Sequence, residues 1–201
     1  MTFNMLLTGV GGEGVLVTSV IVSRAAAFDG HKVGGIQLHG LAQRGGSIPT
    51  YVRWGKEIHS PTIPRGEADL ILGLETIEAA RSCYFASKDR TNFVIDTYSI
   101  KPVYAHLHKQ HYPSIDEVRH MVKPFAKSIS VVNASEICRQ KLGNVIYGNV
   151  MSLGVAKAAG ALPLSERSLI KSIKKTVPRG VEKNIKAFEM GLSAEVVPGK
   201  V

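Results

Sequence analysis

Cysteine is nearly absent: Cys83 and Cys138 are the only two in 201 residues. That excludes a disulfide scaffold. It also excludes an ordinary iron–sulfur cluster held by this chain alone, which takes four thiolate ligands. Reduced thiols in a cytosol are the simplest reading, so a cytoplasmic protein is expected. Aromatic residues make up only 6% of the chain, and no basic-aromatic interleaving marks a nucleic-acid-binding module. Met1 to Val10 carries no basic residue, unlike a secretory leader. The most apolar later stretch, Val145 to Leu162, contains Asn149, Lys157 and three glycines. It reads as a buried or interface helix rather than a membrane span. Neither nucleic acid nor membrane is expected as a partner.

What is present is an ordinary globular composition, 44% hydrophobic and 20% charged, which excludes global disorder. The length fits a single α/β domain over 1–201, with a sheet core in 1–132 and a mainly helical layer in 133–201. The net charge of +9 is unevenly placed: residues 1–100 hold nine basic and nine acidic residues, 101–150 seven and three, and 151–201 nine and four. An acidic partner surface, a phosphorylated ligand or a solvated lysine-rich face would each fit a basic second half.

Apolar runs bounded by turn residues predict strands at Phe3 to Val10, Val33 to Leu38, Ser47 to Trp54, Ala68 to Gly73, Asn92 to Asp96 and Ser128 to Val132. Pro49 places the third at an edge or a bulge. Helical spacing predicts helices over Val15 to Phe28, Leu74 to Phe85, Ala134 to Leu142, Asn144 to Ala161, Ser165 to Thr176 and Val181 to Ser193. Asp29-Gly30 closes the first, and Ser114-Ile-Asp-Glu117 is a capping box opening a helix that Pro124 ends or bends. Strands alternating with helices give an α/β fold: a doubly wound, mostly parallel sheet, helices on both faces, and a helical C-terminal third. Small residues along Asn144 to Ala161 suit close packing, either against a partner subunit or within the core.

Gly9-Val-Gly11-Gly12-Glu13-Gly14 fits G-x-G-x-x-G between a strand and a helix. Glycines there admit positive φ and let backbone N–H groups approach an anion at the helix start; a tight turn for strand–helix packing uses the same residues. An NAD site needs a carboxylate after the second strand, which instead ends Ile36-Gln37-Leu38-His39. Glu13 opposes a pyrophosphate, and Val15-Leu16 replace the Lys-Ser/Thr of a P-loop. His39, Gln43, Arg44, Gly45 and Gly46 follow the second strand, so they belong at the same sheet edge as Gly11, Gly12, Glu13 and Gly14. These nine residues are the candidates for ligand or partner contact. Arg44 is a forked cation suited to phosphate or carboxylate, or to bracing loops. His106, His108 and His111 lie in a polar stretch between Pro102 and Pro113 and read as loop rather than metal site. No catalytic set and no metal site is predicted.

Gly9 to Gly14, Leu38-His-Gly-Leu-Ala-Gln-Arg-Gly-Gly-Ser47, Ile58-His-Ser-Pro61 and Gly66-Glu-Ala-Asp-Leu-Ile-Leu-Gly-Leu-Glu75 resemble the gamma-type subunit of 2-oxoacid:ferredoxin oxidoreductases, nearest to the indolepyruvate type. The resemblance spans roughly Phe3 to Gly191. It implies a subunit of an enzyme that oxidatively decarboxylates aryl pyruvates, with coenzyme A taking the acyl group and ferredoxin the electrons. It implies a larger alpha subunit carrying thiamine diphosphate, magnesium and the Fe–S clusters, and it leaves a homodimer open for the isolated chain. Where the family has Gln, this chain has Glu13, an acceptor in place of two donors. The chain has no G-D-G followed by N-N, the diphosphate–magnesium motif of thiamine enzymes, so alone it would be inactive. A non-catalytic interaction protein and, with less support, a dinucleotide-binding dehydrogenase are the competing readings.

Overall fold

The computed structural model describes residues 2–38, 45–101, 108 and 110–194. Six strands form one sheet in the order β2-β3-β1-β4-β5-β6. They are β1 (Thr2–Thr8), β2 (Lys32–Gln37), β3 (Thr50–Gly55), β4 (Leu70–Gly73), β5 (Asn92–Asp96) and β6 (Ser128–Val132). β1, β4, β5 and β6 are parallel neighbours, while β3 runs antiparallel to both β1 and β2. β3 alone is therefore reversed, and the mostly parallel sheet holds. The edge position expected for the Pro49 strand does not. β3 is interior and β2 is the edge, because Pro49 sits just before the strand, where its carbonyl accepts from Leu38 N–H and its missing N–H costs nothing.

Seven helices are described: α1 (Val15–Phe28), α2 (Thr76–Arg81), α3 (Ile115–Val122), α4 (Ala134–Leu142), α5 (Gly148–Ala158), α6 (Glu166–Thr176) and α7 (Val181–Leu192). Alternation along the strands sorts them. Met5, Leu7, Leu70, Leu72 and Val94 face the cluster that holds α1, α5, α6 and α7. Leu6, Ile71, Phe93 and Ile95 face Ala79 of α2 and Val118 and Val122 of α3. Helices thus cover both faces, as the fold class required. Ser114 and Glu117 cap α3 reciprocally, and Gly30, at φ 84°, stops α1.

Two helix expectations change. Leu74 to Phe85 is not one helix: Glu75 caps α2, and Ser82–Phe85 is a 3-10 turn. Asn144 to Ala161 begins with a 3-10 turn at Val145–Tyr147, and α5 stops at Ala158. The small residues of α5 serve this chain's own packing. Gly148 lies against the Ser135 backbone, where a Cβ would come within 2.6 Å, and Gly154 lies against Gly191 of α7. Residues 148–156 are all buried, so α5 is a core helix.

Candidate functional site

The carboxyl ends of β1, β2, β4 and β5 share one edge, and both glycine segments lie there. Gly12 and Gly14 adopt φ of 95° and 82°, conformations open to glycine. Gly11 is spent on the second segment: its N–H donates to Gly46 O at 2.8 Å, and its carbonyl accepts from Gly45 N–H at 3.2 Å. Ile48 N–H bonds Gly9 O at 2.9 Å, and Val10 bridges Ser47. Gly11 and Gly45-Gly46 are thus brought together as a backbone zip, and Gly11 N–H is not left for a phosphate. Asn149 of α5 clamps the turn by donating to Glu13 O. A Cβ on Gly14 would meet the same Asn149 amide at 2.9 Å. His39, Gln43 and Arg44 lie outside the described residues.

Three buried carboxyl groups fill the edge beneath this zip, and composition gave no sign of them. Glu75 Oε2 accepts from Ile77 and Glu78 N–H at 2.8 and 3.0 Å, and its Oε1 accepts from the Tyr112 hydroxyl at 2.5 Å. Burial and then Glu75 push the Tyr112 phenol up. Glu78 accepts from the Ser47 hydroxyl and meets Arg81 at 3.3 Å, yet burial still raises its carboxyl. Asp96 Oδ2 accepts from Ser135 N and Oγ at 3.0 and 2.6 Å, tying β5 to the start of α4. Burial lifts Asp96 to about 6, although the bonds from Ser135 and Tyr98 oppose it. Asp96 and Glu13 both raise the Tyr98 phenol, after burial. A carboxylate at or just past the end of an apolar strand, as at Asp96 and Glu75, is the sequence signal that could have found these two.

Among the described residues there is no group of three metal-ligating side chains. Burial pushes the Cys83 thiol up to about 11 and the Cys138 thiol to about 12, so neither is a ready thiolate nucleophile. His111 Nε2 pairs with Glu117 Oε1 at 2.9 Å, while His106 is outside the described residues.

A cavity of about 300 Å³ opens beside Gly14. Val17, Ile146, Val150, Val177, Pro178 and Arg179 line it, where the starts of α1, α5 and α7 converge. Val17 and Ile146 are 40% and 45% exposed. Gly14 and Gly180, the N-caps of α1 and α7, supply no side-chain cap. Apolar walls with positive helix ends and a cation at the rim suit an apolar group that carries an adjacent anion.

Residues 4–194 match the family described as pyruvate ferredoxin/flavodoxin oxidoreductase. A Methanothermobacter thermautotrophicus protein named indolepyruvate oxidoreductase subunit IorB is 37% identical over 195 residues, covering 96% of this chain and 98% of its own length. An Archaeoglobus fulgidus protein of the same name is 35% identical, covering 98% and 96%. Pyruvate oxidoreductase subunit PORC of Thermotoga maritima superposes with a TM-score of 0.70 at 20% identity over 98% of both chains, a likeness of fold. The 2-oxoglutarate:ferredoxin oxidoreductase of Magnetococcus marinus, solved with 2-oxoglutarate, coenzyme A and succinyl-CoA, superposes with a TM-score of 0.68 at 17% identity. It covers 96% of this chain and 30% of that longer one.

Proposed function

The chain belongs to the pyruvate ferredoxin/flavodoxin oxidoreductase family, and from that membership we propose that it is the non-thiamine subunit of an indolepyruvate-type 2-oxoacid:ferredoxin oxidoreductase. The observation that carries this reading is 37% identity along nearly the whole of both chains to a protein named for indolepyruvate oxidation. The site is consistent with it. Glu75 and Asp96 hold helix starts, Glu78 holds Ser47, and the glycine turns brace one another, so the edge is built to hold a shape rather than to move a proton.

The chemistry then belongs to the assembled enzyme. Thiamine diphosphate with magnesium supplies carbanion stabilisation, and Fe–S clusters carry electrons toward ferredoxin; both reside on a larger alpha subunit. Coenzyme A is the acyl acceptor. This chain contributes its carboxyl edge, with the Gly14 cavity taking an apolar side chain of the alpha subunit. Glu13, Gly12, Gly14 and the Arg44 segment contact the alpha subunit or coenzyme A. The complex works in the cytoplasm.

Purification of the complex from its native source tests the reading. A larger thiamine- and iron-containing subunit should co-purify, and indolepyruvate-dependent dye reduction should need both chains. The isolated chain should be colourless and inactive. Oxoacid-dependent activity of the isolated chain, or a complex lacking thiamine and iron, overturns it.

A further inference from the structure

The outward face of α6 carries Arg167, Lys171, Lys174 and Lys175 at helical spacing, opposite the buried Leu169, Ser172 and Ile173. Arg24 joins them from α1, its guanidinium bonded to Lys175 O at 2.8 Å and Thr176 Oγ1 at 3.1 Å. Arg179 continues the row at the rim of the Gly14 cavity. All six are exposed. None of the six belongs to an ion pair among the described residues, where the Arg and Lys pairs are those of Arg81, Arg90, Arg119 and Arg139. The ammonium groups of Lys171 and Lys175 sit 4.2 and 5.6 Å from the Phe28 ring centroid, which holds them in place without neutralising them. From Arg167 to Lys175 the row runs about 12 Å along the helix, ending beside the edge assigned above to the alpha subunit.

We propose that this face of α6, with Arg24, is the electrostatic docking surface for the acidic electron-carrier protein, of ferredoxin type, that the assembled enzyme reduces. The inference rests on the subunit reading above. A permanent subunit interface has an apolar core depleted in lysine. Among the described residues the exposed large apolar side chains, Val17, Leu38, Tyr84, Met121, Phe125 and Ile146, all lie off α6. An encounter with an electron carrier is the opposite kind of contact: small, transient and steered by charge. Lysines held upright on a rigid helix, unpaired and next to the subunit edge, meet that description. A negatively charged carrier is drawn from solution to a place beside the cluster-bearing subunit, and it leaves again because no apolar contact retains it.

The test uses the assembled complex carrying Lys171→Glu with Lys174→Glu, and separately Lys171→Arg with Lys174→Arg. Turnover is measured with an acidic ferredoxin and with a small artificial dye, across ionic strength. Charge reversal should raise the ferredoxin KM about tenfold or more at low salt, and the difference should shrink above about 0.1 M salt, where the screening length is about 10 Å. The arginine pair should keep the ferredoxin KM, and dye reduction and subunit assembly should be unchanged in both. An unchanged ferredoxin KM with normal dye reduction overturns the docking surface alone. Loss of assembly reassigns the face to the alpha subunit, and retention of the wild type but not the variant on nucleic acid reassigns it to that polymer; either result overturns the proposal. A wild-type complex without oxoacid-dependent dye reduction overturns the functional reading and this inference with it.

Discussion

Gly154 of α5 and Gly191 of α7 meet with no side chain between them, so that a Cβ built on either would come within 2.9 Å of the other's Cα. The contact joins two helices of the cluster that covers one sheet face. Gly154→Ala, or Gly191→Ala, should force the helices apart and lower stability by about 1–3 kcal/mol, the usual cost of overpacking. A melting temperature equal to that of the wild type in both variants would show that the crossing is looser.

Ser152, on the same helix, is fully buried and its hydroxyl has no hydrogen-bond partner among the described residues. Ser152→Ala removes an unsatisfied polar group and adds helix propensity, so it should stabilise by about 1 kcal/mol. Thermal unfolding reads this directly, and a lower melting temperature would mean that the hydroxyl has a partner.

Asp96 links stability to pH. Its carboxyl stands at about 6 in the fold against 3.8 unperturbed, so the folded state binds the proton more tightly than the unfolded chain. The associated stabilisation is full below the unfolded value and is lost as pH rises through the folded one. Over that window the wild type should lose up to about 3 kcal/mol relative to Asp96→Asn, which does not titrate. Melting curves of both proteins across the window check the slope, and parallel pH profiles would contradict it.

Tyr112 donates its hydroxyl to Glu75, the cap of α2, across 37 positions of sequence. Tyr112→Phe should cost about 1.5–3 kcal/mol, the range for a hydrogen bond to a charged group. Chemical denaturation measures the loss, and a change well under 1 kcal/mol would place the capping strength elsewhere.

Arg44 lies between Gln43 and the Gly45-Gly46 pair that zips to Gly11. If its fork holds a phosphate or carboxylate of coenzyme A or the alpha subunit, Arg44→Lys should weaken that binding and Arg44→Ala should weaken it further, by about 10- to 150-fold. A lower melting temperature, with coenzyme A KM and subunit affinity unchanged, would identify a loop brace instead.

The sequence by itself determined the layers. Apolar runs bounded by turn residues marked the six described strands to within a few residues, most clearly β1, β4 and β5, because strands buried on both faces leave an uninterrupted apolar record. It also determined family membership, through glycine motifs whose spacing is a chain-local property, and it confined the excess charge to the second half. It did not determine which strand lies at the edge, since the reversal of β3 is fixed by pairing with β1 and β2 and not by Pro49. Nor did it assign the small residues of α5, because glycines that admit a partner helix look the same whether that helix belongs to another subunit or lies 37 residues along the same chain, as Gly191 does from Gly154. The partners of the edge carboxyl groups were decided by tertiary structure. Glu75, Glu78 and Asp96 take their character from donors contributed by distant segments, Tyr112, Ser47 and Ser135, which only the folded sheet brings within hydrogen-bond reach.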